Sequence, residues 1–287
     1  MGRDFYDEIP DDPKLVQWIR DQKIFHVATA PLNGGHVNVS PKGQPSFKLV
    51  NPKACWYLDL TGSGNETISH LYEPGNGRIT ILFQAFEGPP NIVRLFGQGR
   101  VFERDSPEFN ALVQSTFTPT ANDEYDFPTP ELLPGARAII WIDITMVGLS
   151  CGYAVPVMEF VSHRDQLNKY FQRLEDKDAS VDDPFSLPYE SGFRNYMVTM
   201  NSWSVDGLPG LKFSNNRASH ELVRSTMVEA GLEPPTGHRQ NQSEAERLHL
   251  YRSGWVFALG ISIGILSTVM VKERKVLMSL LPAFLSH

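Results

Sequence analysis

The 287 residues carry 26 Lys and Arg against 33 Asp and Glu, a formal charge of −7, with 41% hydrophobic and 21% charged residues. That balance excludes disorder throughout, a collagen-like chain and a multi-span membrane protein, and it leaves no cationic surplus for binding nucleic acid. Two cysteines, Cys55 and Cys151, exclude a disulfide scaffold or a Cys-rich zinc site.

Met1 to Glu8 is acidic and lacks an apolar core, so no signal peptide is expected and the chain is assigned to a reducing, cytoplasmic compartment. A helix is predicted over Asp12 to Gln22, with Pro13 in its first turn and Leu15, Val16, Trp18 and Ile19 as its apolar stripe. Strand-like runs follow at Ile24–Ala30, His36–Ser40, Ala54–Asp59, Arg78–Phe83, Ile92–Phe102 and Ala138–Val147. Each is bounded by turn residues such as Asn33-Gly34-Gly35 or Asn51-Pro52. Short helices are expected at Glu66–Tyr72 and Pro107–Ser115. Six closely spaced strands with few helices between them predict a mainly β fold, a small antiparallel barrel over residues 1–160.

Residues 161–237 are more polar and read as a helical and irregular extension, with one helix at Asp165–Glu175 and a turn-rich string from Asn201 to Leu211. Residues 238–253 read as a linker. Gly254 to Val271 contains 18 uncharged residues, which as a helix would be about 27 Å long against a bilayer core of about 30 Å. It is expected to be a membrane-spanning tail, with a buried or amphipathic helix as the alternative. Residues 272–287 form a basic and apolar tail.

The segment with the most chemical content runs from Trp56 to Ile68, where a strand ends, Thr61-Gly62-Ser63-Gly64 turns the chain and a helix begins. Unpaired N–H groups at such a start suit a phosphate, with Ser63 and Thr67 as hydroxyl donors. On this segment alone the favoured reading is capping, in which Ser63 or Asn65 closes the helix N-terminus and the glycines only turn the chain. Lys42 and Arg78 are the basic residues expected nearby. Arg94, in the middle of an apolar strand, needs a ligand anion or a carboxylate such as Asp59 or Glu87 if it points inward, and none if it faces water. His26, His36, His70 and His163 lack paired metal spacing, and the two cysteines read as small buried residues.

Taken together, Phe25–Ala30, His36–Gly43, Trp56–Thr67, Asn76–Ile81, Ala85–Gly97, Ser150–Pro156 and Asp206–Gly210 resemble the pyridoxamine 5′-phosphate oxidase-like family of FMN-binding split barrels, in particular fungal members of unassigned activity. The resemblance spans roughly Phe5 to Leu211. It implies a six-stranded split β-barrel that dimerises and holds FMN at the subunit interface. The flavin phosphate would lie near Ser63, Asn65 and Thr67 with Lys42 or Arg78 nearby, Ser40, Pro41 and the Thr61 backbone would flank the ring, and Arg94 would join the site. Two departures accompany it. Gly64-Asn65 stands where phosphate-gripping members carry an Arg-Lys pair, and the C-terminus lacks the family's substrate-binding Arg/His segment. The expected function is therefore an FMN-dependent oxidoreductase acting on a small molecule other than pyridoxamine phosphate. The alternatives are a non-catalytic flavin- or ligand-binding module tethered to a membrane, and a dimeric interaction domain without cofactor.

Overall fold

The computed structural model describes residues 3–43, 46–116, 132–184 and 191–214. After a short strand β1 (Arg3–Tyr6), helix α1 (Pro13–Asp21) begins where the Asp12 side chain accepts the Lys14 amide at 2.9 Å, and Pro13 fills a first-turn position that needs no N–H partner. Its Leu15, Val16 and Ile19 face the core.

Seven further strands follow: β2 (Ile24–Thr29), β3 (Asn38–Gly43), β4 (Phe47–Asn51), β5 (Ala54–Leu60), β6 (Arg78–Gln84), β7 (Asn91–Glu103) and β8 (Ala136–Cys151). They form one antiparallel sheet in the order β3-β2-β6-β7-β8-β5-β4, with β1 paired to β8. Helix α2 (Glu66–Tyr72) links β5 to β6, and α3 (Pro107–Thr116) follows β7.

The sheet must curl, because strands far apart in its order touch. Phe47 of β4 packs edge-on against Phe25 of β2 at 5.5 Å and Phe83 of β6 at 5.1 Å, although four strands separate β4 from β2 in the sheet. Such aromatic pairs add about 0.5–1.5 kcal/mol each beyond the area they bury. A register shift at Phe96/Gly97 bends β7 against β8, and a Cβ on Gly97 would overlap the Asp143 carbonyl. The enclosed core joins Val27, Tyr57, Ile81, Leu95 and Ile140. A second cluster on the other face, around Trp56 and Ile139, is covered by Phe109 of α3.

The mainly β antiparallel split-barrel fold with helices agrees with the sequence; among the described residues there are eight strands, the six read from the sequence and two more. The two additions, β1 and β4, are short segments at the margins of the sheet's longest pairings. Strand β3 also runs on to Gly43 instead of ending at Ser40. Pro41 does not stop it, because among the described residues β3 is an edge strand paired only with β2 and has no second neighbour to receive an N–H.

The extension supplies α4 (Gln166–Ala179) and α5 (Phe193–Met200). Phe171, Leu174, Phe193 and Met197 bury into the barrel core, and Glu175 accepts the Gly135 amide at 2.9 Å. The predicted linker, the Gly254–Val271 segment and the tail after it lie outside the described residues. Among the described residues no helix is long and apolar enough to cross a membrane.

Candidate functional site

Where the sheet curls shut, β3 at one end meets β5 near the other. Lys42 Nζ lies 2.6 Å from Asp59 Oδ1, and Arg137 Nε, from the start of β8, lies 2.8 Å from Asp59 Oδ2. Arg137 also donates to the Gly64 carbonyl at 2.8 Å. The Asp59 side chain is fully buried, Arg137 is 5% exposed and Lys42 18%. Burial pushes the Asp59 carboxyl up, but the Arg137 and Lys42 charges and their hydrogen bonds overrule it and hold the group below the ordinary carboxylate range. Two cations share one carboxylate, so the seam keeps one surplus positive charge.

That charge opens onto a cleft of about 850 Å³. Pro41, Lys42, Thr61 and Gly62 line it on the seam side, and Trp18, Leu60, Phe86 and Phe160 provide apolar wall. Thr61 is fully buried, and among the described residues its hydroxyl has no hydrogen-bond partner although its amide is satisfied by Gly135 at 2.7 Å. The Trp18 indole N–H likewise has no partner among the described residues. A buried hydroxyl left unpaired is costly, so a polar edge offered from the cleft would be stabilised there. On the opposite rim the Glu87 carboxylate accepts the Phe160 amide at 3.1 Å, tying the chain after β8 to the barrel.

Of the residues singled out from sequence, Pro41, Lys42 and Thr61 come together in this cleft. Ser40 and Thr67 do not enter it. They belong to a polar chain in which Ser40 Oγ donates to Asn38 Oδ1 at 2.9 Å and Asn38 Nδ2 donates to Thr67 Oγ1 at 3.0 Å. That chain continues through Thr29 to the ring of His70, whose pKa burial lowers against the opposing pull of Asp206, Glu66 and Glu73. Ser63 is exposed on the loop. Arg78 donates to the Pro31 carbonyl at 3.2 Å and to Asn76, away from the corner.

Arg94 meets neither Asp59 nor Glu87. In β7, Val93 and Leu95 point to the core, so Arg94 lies on the other face with Ile92 and Phe96 and donates to Ser150 Oγ at 3.3 Å. It borders a separate concavity of about 820 Å³ with His26 and Gly148. Both faces of β7 carry apolar residues, which is why alternation could not give its phase.

Asn65 is buried at the entrance of α2 but makes no cap bond to that helix. Its Nδ2 donates to the Asn201 carbonyl at 2.8 Å, and Asn201 Nδ2 in return donates to the Gly62 carbonyl at 2.9 Å. The segment from Asn201 to Gly210 therefore straps across the corner. The Val205 amide reaches Glu66 Oε1 at 3.4 Å, and the Asp206 carboxylate grips the His36 amide at 2.8 Å and its ring at 2.6 Å. Sequence reasoning passed over Arg137 and named the Asn201–Leu211 string without its contacts to Asn65 and Gly62. The signal for Arg137 was a lone cation at the head of an apolar strand.

No protein-family model matches the chain. A pyridoxamine 5′-phosphate oxidase family protein, ustO of Aspergillus flavus, is 36% identical over 221 residues, covering 72% of this chain and 77% of its own. Among solved structures, HupZ of Group A Streptococcus is 20% identical over 47% of this chain and 90% of its own, with a TM-score of 0.33. The FAD binding protein of Mycobacterium smegmatis is 13% identical over 50% and 94%, with a TM-score of 0.32. An FMN-binding protein of Syntrophomonas wolfei is 11% identical over 47% and 82%, with a TM-score of 0.31.

Proposed function

Because the chain belongs to the pyridoxamine 5′-phosphate oxidase family, we propose that it is a flavin-dependent oxidoreductase that binds FMN and acts on a small molecule other than pyridoxamine phosphate. The observation that carries the reading is the seam cleft, where a surplus positive charge and an orphaned buried hydroxyl stand beside apolar walls. A flavin ring has the matching chemistry, a flat apolar body with an electron-rich polar edge. Lys42 Nζ and Thr61 Oγ1 would hold that edge, and Trp18, Leu60 and Phe86 would exclude water from the ring face. When bound, the flavin supplies hydride or electron transfer, while the protein contributes position and electrostatics. Arg137 acts through Asp59, keeping that carboxylate ionised so that it fixes the Lys42 ammonium at the cleft.

The protein is also proposed to work as a homodimer. Phe5 (53% exposed), Val39 (61%) and Val157 (88%) leave apolar surface that a second copy would cover. The test is anaerobic reduction of the flavin-loaded full chain by NADH or NADPH, followed by reoxidation with candidate acceptors, on a sample whose mass is read by sedimentation. The reading expects a redox-active flavin on a particle of twice the 32.3 kDa chain mass. A bound flavin that no reductant or acceptor turns over would leave a binding module, and a single-chain particle would remove the dimer.

A further inference from the structure

Helix α2 has only seven residues, and its entrance is already filled by the protein itself. Around the corner the chain presents acceptors. The Glu66 carboxylate folds back over Gly64, so that a Cβ added there would lie 2.5 Å from Glu66 Oε2. Among the described residues, the buried Oδ1 atoms of Asn65 and Asn201 have no donor. Asp206 adds a second carboxylate across the strap. The cation beside the corner, Arg137, is spent on Asp59 and on the Gly64 carbonyl. A phosphate is an acceptor-only dianion, so at this corner it would sit against the Glu66 and Asp206 carboxylates and the Asn65 and Asn201 amide oxygens, with Arg137 already engaged.

The strap is also pressed too tightly to admit a ligand beneath it. A Cβ on Gly210 would overlap both Asn65 Nδ2 and the Asn201 carbonyl. The Gly210 amide closes on the Ser202 carbonyl at 2.7 Å and the Leu211 amide on that of Asn201 at 3.0 Å. Trp203 pairs with Pro209, and Ser69 Oγ donates to the Leu208 carbonyl at 3.4 Å.

We infer that the Asn201–Gly210 strap stands in for a ligand phosphate at the α2 corner, so that the protein recognises flavins through the ring alone and accepts riboflavin as readily as FMN. This selectivity rests on the flavin reading above, whereas the self-occupied corner does not. One charge-assisted hydrogen bond to a phosphate is worth about tenfold or more in affinity, so a gripped phosphate cannot be hidden.

Two measurements on the full chain separate the parts. In equilibrium titrations followed by flavin fluorescence, FMN and riboflavin should bind within about threefold of each other. FMN binding tighter than riboflavin by more than about threefold would overturn the proposal. The second measurement follows backbone amide resonances of residues 62–67 and 205 by NMR while inorganic phosphate is added to about 20 mM against sodium chloride of equal ionic strength. The self-occupied corner predicts no saturable shift. A saturable shift would overturn it whatever the flavins do. If neither flavin binds and the amides stay still, the flavin reading and the ring-only selectivity fall together while the occupied corner stands.

Discussion

Asp59 sits between Lys42 and Arg137 with no access to water, and that arrangement has consequences that differ for each partner. Attraction inside a barrel is strong, but so is the cost of taking three charges out of water, and the loss of one member exposes that cost. Asp59→Asn would leave two cations facing each other over a neutral amide. It should lower the unfolding free energy by about 3–5 kcal/mol, read from urea denaturation. The pH dependence follows from the direction of its shift. The Asp59 pKa is lower in the folded chain than in the unfolded one, so its stabilisation is fully present above the ordinary Asp value of about 3.9. It is lost as pH falls from there through the depressed folded value. The acid limb of the wild-type stability curve should therefore be steeper than that of Asp59→Asn, and parallel limbs would show that Asp59 titrates alike in both states. Cys55 makes a contrast: burial, with help from Asp143, pushes its thiol far up, which makes it an inert core residue.

At the level of elements, the strap and α2 form one unit joined by Asn65 and Asn201. Gly210→Ala should force the strap off the corner at a cost of about 1–3 kcal/mol, measured by chemical denaturation. Gly62→Ala, where an added Cβ meets nothing within 4 Å, should change stability by less than about 0.5 kcal/mol. Equal effects would mean that the strap is not seated. The elements themselves were largely legible. Helix α1 announced itself through Asp12, Pro13 and its apolar stripe, and β2, β5, β6, β7 and β8 through apolar runs between turns. Helix α5 was not read, because Phe193 to Met200 follows an irregular polar stretch and opens from Gly192 without a side-chain cap. The strap showed only as a turn-rich string. Its partner Asn65 lies 136 residues away, and no local pattern encodes such a pairing. Lys42 stood out because it ends a strand, and Pro41 and Thr61 were named through the family resemblance, while only the curl of the sheet brings the three to one cleft. Arg137 was passed over because Gly135-Ala136-Arg137-Ala138 looks like an ordinary approach to a strand, and only the register that sets Asp59 opposite Ala138 gives it a role.

For the molecule as a whole, the seam is a product of closure. Lys42 belongs to one end of the sheet and Asp59 to the strand next to the other end, so the site exists only when the barrel has curled far enough for Phe47 to reach Phe25. The packing that stabilises the core and the geometry that builds the cleft are thus the same event, and α4 and α5 reinforce it through Phe171 and Phe193. Lys42 is the part of the triad that the cleft can reach, because Asp59 and Arg137 lie behind it. The measurement that tests this account most directly is titration of the purified full chain with FMN, followed by flavin absorbance and fluorescence, beside a Lys42→Met variant whose folding is checked by circular dichroism. The account predicts saturable binding with a shifted flavin spectrum in the wild type, weakened about tenfold or more in the variant. A folded wild-type protein that leaves the flavin spectrum unchanged, or a Lys42→Met variant that binds FMN as well as the wild type, would contradict it.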